Sequence, residues 1–362
     1  MPTIAYFVSS HGYGHAARAC AVMERLNALQ ASSHFLIFTQ VPQWFFEDSL
    51  PEVHFTYIPT FTDVGFVQKS PFEIDFPGTI RVLRAHLPFP PEEIHRLARE
   101  LSAQNCRAVF SDVPALGLLV AHEAGLPSIL IENFTWDWLY RHYAGQRSDF
   151  SEFADYLARQ YALATLHIKA KPFTSFSAKA RTVSPVARYP RHSAKETRRA
   201  LGIPTAAKAV LISTGGIKTR HRFMDRLKLL KDIYFIIPND VAQKYTDGNL
   251  IVLPHHSEFF HPDLVQAADL LVCKSGYSTV AEAYLLHKPL LLITRPDFPE
   301  SPFIEAFVRE NFVHRFVTPQ QFTAGQWLEA LETLVRATSN AAEKPLRPNG
   351  AEEIVRLCGK FL

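Results

Sequence analysis

Short runs of β-forming residues alternate with helical patterns along almost the whole chain of 362 residues. The strands that this pattern predicts span residues 4–9, 34–39, 54–58, 108–111, 128–131 and 166–168, and then 209–213, 234–237, 250–252, 270–273 and 290–293. Helical patterns such as residues 15–29, 92–103 and 115–124 lie between most of them. Because this alternation is typical of parallel sheets, the sequence predicts an α/β fold.

A segment of low periodicity separates the two halves. Residues 171–192 are rich in Pro, Ser, Lys and Arg, and we interpret them as a linker. They divide a predicted N-terminal domain, residues 1–170, from a C-terminal domain, residues 193–345. Residues 346–362 are predicted to hold a final helix. Two α/β domains in tandem leave a cleft between them, which is a preferred place for a ligand.

The composition argues against several classes of protein. The formal net charge is +3, which gives no sign of a nucleic-acid binder. We interpret the one basic cluster, residues 188–199, as a solvated interdomain segment rather than a polyanion site. The four cysteines are far apart, so we expect buried free thiols. The N-terminal apolar run is too short for a signal peptide or a membrane span, and we expect a cytoplasmic protein.

A glycine-rich turn follows directly on the first predicted strand. The sequence His11-Gly12-Tyr13-Gly14-His15 opens a long helical pattern, so it brings backbone N–H groups and a helix dipole to one point. It also satisfies a loose dinucleotide fingerprint, which is weak evidence alone. An NAD site requires an acidic residue after the second strand, and Gln40 stands there. The dinucleotide interpretation is therefore disfavoured.

A second turn follows the predicted strand that ends at Cys273. Ser275 or Ser278 could cap the next helix, and the N–H groups from Gly276 to Thr279 could hold a diphosphate. Glu282 lies one turn further on, where a carboxylate could accept both hydroxyls of a ribose. The alternative is that Ser278 only caps the helix and Glu282 lies in solvent. The pattern alone leaves both readings open.

These stretches resemble the GT-B glycosyltransferases, especially the family of the peptidoglycan UDP-N-acetylglucosamine transferase. The matching residues are Ala268, Asp269, Lys274, Ser275, Gly276, Thr279, Val280 and Glu282. The N-terminal turn, with Asp63–Gln68, Ser111–Asp112 and Asn133–Tyr140, is more similar to the glycosyltransferase-like N-terminal part of L-arabinokinases. The resemblance implies two Rossmann-like domains. No P-loop sequence is present, so kinase activity has no support.

The resemblance also implies a set of donor-binding residues. The diphosphate contacts would come from Gly215, Gly216, Lys274, Ser275, Gly276, Tyr277, Ser278 and Thr279, the ribose contact from Glu282, and the uracil contacts from the turn at His255 and His256. No Asp-x-Asp triplet occurs, so a metal-dependent enzyme of the other major glycosyltransferase fold is disfavoured. Many retaining GT-B enzymes carry a Glu where this chain has Lys274, so the expected reaction is inverting.

The N-terminal turn supplies the candidate catalytic residues. His15 could be a general base, a contact to phosphate or acceptor, or a helix cap, and His11 is the alternate base. Asp112 could orient a histidine, bind the acceptor, or cap the helix that follows Pro114. Candidate acceptor contacts are Gly12, Gly14, Trp136 and Asp137, although rings of the aromatic run 134–140 could instead pack in the core.

Together these features and the resemblance lead us to expect an inverting, metal-independent sugar transfer from a nucleoside-diphosphate sugar, which we expect to be UDP-linked, to an acceptor hydroxyl. No cofactor besides this co-substrate is expected. The Pro- and Phe-rich segment 60–91 is interpreted as an acceptor-side lid, with a weak membrane contact as the alternative. Two other classes stay open: a non-catalytic nucleotide-sugar-binding module, and a GT-B nucleotide-sugar epimerase or hydrolase.

Overall fold

The computed structural model describes residues 2–29, 33–70, 73–214, 223–337 and 344–361. Contacts divide the chain into two compact units. The N-terminal unit contains residues 1–187 and 349–362, and the C-terminal unit contains residues 188–348. The predicted Gly215 and Gly216 lie outside the described residues.

The N-terminal unit is built on a seven-stranded sheet in which all neighbouring pairs are parallel. The strands of this unit are β1 (Thr3–Val8), β2 (His34–Thr39), β3 (His54–Pro59), the hairpin β4 (Gln68–Ser70) and β5 (Glu73–Ile74), then β6 (Cys106–Asp112), β7 (Ser128–Glu132), β8 (Leu166–Ala170) and β9 (Arg181–Val183). The sheet order is β3-β2-β1-β6-β7-β8-β9. The central β1 is apolar and buried from Ile4 to Val8, as expected for a strand covered on both faces.

Helices follow most strands of this unit. They are α1 (Tyr13–Leu29), α2 (Gln43–Ser49), α3 (Phe76–His86), α4 (Pro91–Ala103), α5 (Ala115–Glu123), α6 (Trp136–Ala144) and α7 (Asp149–Tyr161). The Pro- and Phe-rich segment 60–91 contains the small hairpin and α3. Asp75 caps α3, because its carboxylate accepts from the Gly78 amide at 3.0 Å.

The C-terminal unit has a second seven-stranded sheet. Its strands are β10 (Lys208–Ser213), β11 (Ile233–Asn239), β12 (Tyr245–Asp247), β13 (Leu250–Pro254), β14 (Leu270–Lys274), β15 (Leu290–Ile293) and β16 (His314–Val317). The order is β12-β13-β11-β10-β14-β15-β16, and of the described pairs in this sheet only the edge pair of β12 with β13 is antiparallel. Its helices are α8 (Ala194–Leu201), α9 (Met224–Leu227), α10 (His261–Ala267), α11 (Tyr277–Leu285), α12 (Ser301–Asn311), α13 (Pro319–Thr323) and α14 (Leu328–Ala337).

The last helix returns to the N-terminal unit. It is α15 (Gly350–Cys358), which contacts α1 and is followed by a 3₁₀ turn, Gly359–Phe361. Asn349 begins it: the side chain accepts from the Ala187 amide at 3.2 Å and donates to the Ala187 carbonyl at 2.7 Å. The point at which the chain leaves the N-terminal unit is thereby joined to the point at which it returns.

Every strand predicted from the sequence is present, with bounds that differ by at most two residues. The sequence reading missed β9, β12, β16 and the small hairpin, which are short or carry charged residues. The residues predicted as a linker include β9, which pairs with β8. All four cysteines are buried free thiols, as expected. Within the described ranges, no helix combines the length and the apolar character that crossing a membrane requires.

Candidate functional site

Each sheet carries a cluster of buried polar side chains at its topological switch point. In the N-terminal unit this point lies between β1 and β6, and in the C-terminal unit between β10 and β14. Connections leave in opposite directions there, and open α/β sheets bind ligands at the carboxyl ends of these strands. We describe the two clusters in turn.

A tight turn brings α1 to the carboxyl end of β1. Gly12 has φ of +80°, in the left-handed region that other residues adopt with strain, which explains why glycine stands there. Its N–H donates to the Ser10 carbonyl at 2.9 Å. The turn places His15 in the first turn of α1.

His15 forms a pair with Asp112, which ends the neighbouring strand β6. The His15 Nδ1 atom lies 3.0 Å from Asp112 Oδ1, and both residues are buried. The carboxylate can only accept, so Nδ1 carries the proton and Nε2 is left as a proton acceptor. The structure therefore brings together two of the three predicted catalytic residues in the geometry of an oriented base.

Arg18, one turn further along α1, also bonds this carboxylate, and its Nη2 lies 3.3 Å from His15 Nδ1. Its Nε donates to Asp112 Oδ2 and its Nη2 to Oδ1, both at 2.7 Å, while Nη1 donates to Asn133 Oδ1 at 2.6 Å. Burial would raise the pKa of Asp112, but the Arg18 charge and the His15 contact outweigh it, and the pKa lies below its ordinary value. The helix-cap alternative for Asp112 is wrong, because Pro114 occupies that position of α5.

His11, in the turn before α1, packs against Trp136 and Gly65. Its ring meets the Trp136 ring edge to face at 5.2 Å between centroids. A Cβ atom on Gly65 would overlap the His11 imidazole, so glycine is required for this close approach.

Trp136 is a core residue with a polar anchor. Its indole is buried, and Nε1 donates to Asp63 Oδ2 at 2.7 Å. Burial raises the pKa of Asp63, although hydrogen bonds from Ser9 and Trp136 oppose the shift. The placement of Trp136 fits the packing alternative. Asp137, next in the chain, is half-buried, and burial also raises the pKa of its carboxyl group.

In the C-terminal unit, a turn leads from β14 into α11. Ser275 is fully buried, and none of the described groups hydrogen-bonds to its Oγ. Gly276 is the N-cap residue of α11, and the helix has no side-chain cap. The predicted capping by Ser275 or Ser278 is therefore wrong. The amide groups of the first turn have no acceptors within the helix and are suited to binding an anion.

Lys274 ends β14 just before this turn. Burial lowers the pKa of its ammonium group to about 8, with the Arg295 charge adding to the shift and Glu300 opposing it. Near neutral pH the group is close to its titration range. Among the other predicted donor contacts, Tyr277 is buried, Ser278 and Thr279 are half-buried, and His255 and His256 follow the end of β13.

Glu282 is on the buried side of α11 and is 1% exposed. Its Oε1 accepts from Arg188 Nε at 3.1 Å and Nη2 at 2.9 Å, and its Oε2 lies 2.7 Å from His261 Nδ1. Burial would raise the pKa of Glu282, but the Arg188 and His261 charges hold it below the usual range. The solvent alternative is therefore wrong, and both oxygens that could accept ribose hydroxyls are occupied by side chains of this unit.

Sequence reasoning missed Arg188, His261 and Ser213 as members of this cluster. His261 Nε2 lies 3.3 Å from Ser213 Oγ, at the end of β10. Arg188 is 7% exposed, so the expectation that the basic stretch is solvated is wrong at this residue. The sequence signal for a buried Arg188 was its position next to the apolar Val186 and Ala187. Its partner, Glu282, could not be identified from the sequence because it lies 94 positions away.

Comparisons with known proteins show the family of this chain. The family model of glycosyl transferase family 1 matches residues 2–297, and the chain belongs to that family. An L-arabinokinase from Arabidopsis thaliana is 25% identical over 337 residues, which cover 91% of this chain and 32% of that protein. The chain thus spans about a third of the length of this relative.

Two further proteins support the expected resemblance. The UDP-N-acetylglucosamine–N-acetylmuramyl-(pentapeptide) pyrophosphoryl-undecaprenol N-acetylglucosamine transferase of Fusobacterium nucleatum is 25% identical over 180 residues, 44% of this chain and 49% of that one. The crystal structure of Acinetobacter baumannii MurG matches with a TM-score of 0.59 at 17% identity and covers 99% of this chain and 100% of its own. The predicted GT-B fold with two Rossmann-like domains is confirmed.

Proposed function

We propose that this protein transfers a sugar from a nucleoside-diphosphate sugar to an acceptor hydroxyl, with inversion at the anomeric carbon and without a metal ion. The observation that carries the proposal is the buried His15–Asp112 pair at the switch point of the N-terminal sheet. The N-terminal unit would activate the acceptor, and the C-terminal unit would hold the donor.

His15 is the general base of the proposed reaction. Asp112 accepts from Nδ1, so that Nε2 is the proton acceptor of the neutral imidazole, and Arg18 fixes the carboxylate in place through both oxygens. Nε2 takes the proton of the acceptor hydroxyl while the acceptor oxygen forms a bond to the anomeric carbon. The bond from that carbon to the diphosphate breaks at the same time, and the diphosphate leaves with the electron pair. A base positioned in this way contributes about 10²–10⁴-fold to a rate.

The donor diphosphate is assigned to the turn between β14 and α11. The amides of the first helical turn and the buried Ser275 hydroxyl are hydrogen-bond donors that stabilise negative charge as it develops on the leaving group. Lys274 adds positive charge beside them. These fixed donors do the work that a divalent cation does in other transferases, and this supports a metal-independent reaction. The uridine assignment is supported by the name of the Fusobacterium relative.

The test combines binding, turnover and stereochemistry. A thermal-shift screen over nucleotide sugars identifies the donor, because a ligand that binds the native state raises the melting temperature. With that donor, the anomeric configuration of the product, read by NMR, should be opposite to that of the donor. EDTA should leave donor binding and turnover unchanged. Retention of configuration, or loss of both in EDTA with recovery in Mg²⁺ or Mn²⁺, would contradict the proposal.

His15→Ala tests the base. UDP affinity should stay within a few-fold, while turnover falls by about 10²–10⁴-fold. Retained turnover would move the base to His11, which lies next to Trp136.

A nucleotide-sugar-binding module without catalysis is the second candidate. It is favoured by the L-arabinokinase match, of which this chain covers 32%. The two candidates separate in one experiment, since a module binds the donor with wild-type affinity and shows neither transfer nor hydrolysis with any acceptor offered.

A further inference from the structure

A further group of buried polar side chains lies at the carboxyl ends of β7 and β8 in the N-terminal unit, and the proposed reaction does not use it. Glu132 ends β7 and is the register partner of Lys169 in β8. Its Oε1 accepts from Lys169 Nζ and lies 2.7 Å from His167 Nε2. Burial would raise the pKa of Glu132, but the His167 contact and the Lys169 charge hold it below the ordinary value. The group is therefore a carboxylate, whose oxygens can only accept.

Three oxygens near these strand ends have no hydrogen-bond partner among the residues that the structure describes. They are Glu132 Oε2, Thr174 Oγ1 and Asp137 Oδ1. Glu132 is 0% exposed and Thr174 is 4% exposed, whereas Asp137, in the first turn of α6, is half-buried. Each such oxygen costs free energy until a donor reaches it.

The segment 173–176 lies against the same strand ends. The Thr174 amide donates to the Asn133 carbonyl at 2.9 Å, which places Thr174 directly after β7. The Ser175 Oγ atom lies 3.3 Å from Lys169 Nζ, the group that bonds the β7 carboxylate. Two of the three unpartnered oxygens are therefore brought together by the pairing of β7 with β8 and by this segment.

Asp137 belongs to the same group and is its most accessible member. Burial raises the pKa of its carboxyl group, and the nearby Glu132 charge adds to the shift. The unpartnered oxygens are shielded from solvent in this structure. A ligand therefore meets Asp137 first, and it reaches Thr174 and Glu132 with a shift of the segment 173–176.

Charge decides which kind of donor fits here. Lys169 already compensates Glu132, so Oε2 requires a hydrogen-bond donor and not a cation. In the part of the chain that the structure describes, no group of three or more His, Cys, Asp and Glu side chains could hold a metal ion. Hydroxyl groups are neutral donors that satisfy carboxylate and hydroxyl oxygens.

The segment 173–176 also supplies aromatic surface. The Phe173 ring centroid lies 5.9 Å from Lys169 Nζ, and Phe176 is 81% exposed. Ligand sites combine such rings with a few polar groups that fix orientation. A sugar ring matches both parts, because it carries several hydroxyl groups and has apolar C–H faces.

These strand ends adjoin the proposed base. Ile131 of β7 is the register partner of Asp112 in β6, and Asn133 Oδ1 accepts from Arg18 Nη1 at 2.6 Å. Neighbouring strands of a sheet are about 5 Å apart. One acceptor molecule can therefore present a hydroxyl group to His15 and a further ring to the ends of β7 and β8.

We propose that Glu132, Asp137 and Thr174 form a subsite for a sugar ring of the acceptor, so that the acceptor is a saccharide. The inference rests on the proposed function and names the chemical class of its acceptor. The three oxygens bond ring hydroxyls, and an aromatic ring of the segment 173–176 packs on the C–H face.

The test is NMR titration of the full chain with neutral saccharides: glucose, galactose, mannose, maltose, cellobiose and lactose. Phenol and hexanol serve as hydroxyl compounds without a sugar ring. The wild type should bind at least one saccharide and neither of these two compounds. Asp137→Ala should weaken the binding of that saccharide by about 10- to 100-fold, the effect of losing a hydrogen bond to a charged group.

Thr174→Val separates binding from a structural role. The change keeps the shape of the side chain and removes a hydroxyl that has no described partner, so the variant should be at least as stable to urea as the wild type. It should nevertheless bind the saccharide about 2- to 10-fold more weakly, since a neutral hydrogen bond is lost. If Thr174→Val does not unfold cooperatively, Asp137→Ala decides the test.

The matched control is Thr197→Val in the C-terminal unit. Thr197 is also 4% exposed, but its hydroxyl donates to the Ser193 carbonyl at 3.2 Å. This variant should bind the saccharide like the wild type. All three variants should bind UDP within a few-fold of the wild type.

Two results would overturn the subsite: a wild type that binds none of the saccharides, or saccharide affinities unchanged in both Asp137→Ala and Thr174→Val. The proposed function fails separately. Saccharide binding that depends on these residues, without transfer from any nucleotide sugar, would support the subsite and contradict the transferase. Transfer to phenol or hexanol without saccharide binding would support the transferase and overturn the subsite.

Discussion

The two carboxylate–histidine pairs lie near the switch points of the two sheets and differ in how they are enclosed. Asp112 ends a strand and is held by Arg18 through both oxygens, with its histidine buried in the same network. Glu282 lies inside a helix, and Arg188 engages only one of its oxygens, while the partner histidine is partly exposed. The first arrangement fixes the orientation of the His15 ring, as the proposed proton transfer requires. The second leaves part of the His261 ring exposed.

The largest effect that separates the two pairs is expected from Asp112→Asn. An amide in this place can donate to Nδ1 and so favours the tautomer with the proton on Nε2, which cannot act as a base. Turnover should fall by about 10²–10⁴-fold, with UDP affinity unchanged. Steady-state rates and UDP titration of one purified preparation measure both. Turnover within a few-fold of wild type would mean that Asp112 does not orient the base.

Replacement of Arg18 or Arg188 should lower the free energy of unfolding by different amounts in the two pairs. Arg18→Met removes the donors to both oxygens of the fully buried Asp112 and leaves His15 as its remaining charged partner, and it should lower the free energy of unfolding by about 3–5 kcal/mol. Arg188→Met should cost less, because Arg188 bonds only one oxygen of Glu282 and the other keeps its contact with the partly exposed His261.

Urea unfolding of each variant provides the measurement, with Arg141→Met as the control. Arg141 pairs with Asp155 at 3.0 Å, and both side chains are exposed, so the loss of this pair should cost about 0–1 kcal/mol. An Arg18→Met variant as stable as this control would show that Asp112 is not held as a buried charge.

The dependence of the free energy of unfolding on acid pH should be a smaller effect, and it should distinguish Asp112 from Asp63. The pKa of Asp112 is lower in the fold than in the unfolded chain, so its contribution is present above pH of about 4 and is lost as the pH falls through its folded pKa. The pKa of Asp63 is raised instead. As the pH falls, protonation of Asp63 removes an unfavourable buried charge and so opposes the loss of stability. A single group changes the stability by at most about 1.4 kcal/mol for each pH unit.

Free energies of unfolding between pH 7 and pH 3 measure this response. Asp112→Asn should make the stability less dependent on pH in the acid range, and Asp63→Asn should make it more dependent. The opposite order of slopes would contradict the burial and pairing described for the two carboxyl groups.

The sequence predicted what local patterns encode. The apolar strands, the glycine turn before α1 and the turn before α11 all depend on residues within a short window, and the structure has them in the expected places. The partners of the functional side chains could not be predicted, because His15 and Asp112 are 97 positions apart and Arg188 and Glu282 are 94 apart. No spacing rule covers a contact that the sheet order creates.

The errors have physical causes as well. Helix-capping preference suggested Ser275 or Ser278 at the start of α11, but the chain uses Gly276 and leaves the first amides without a side-chain acceptor. Charge alone suggested that Arg188 was solvated, whereas a buried carboxylate compensates it. Both errors have the same cause, because local preferences do not show which amides stay without a side-chain cap or which charges are compensated by distant segments.

The most direct test of this account is a side-by-side UDP titration of His15→Ala and Ser275→Ala against the wild type. If the N-terminal pair serves acceptor chemistry and the turn between β14 and α11 holds the donor diphosphate, His15→Ala should bind UDP within a few-fold of wild type, and Ser275→Ala should bind about 10- to 100-fold more weakly. Equal losses in both variants, or a loss confined to His15→Ala, would contradict the division of roles between the two units.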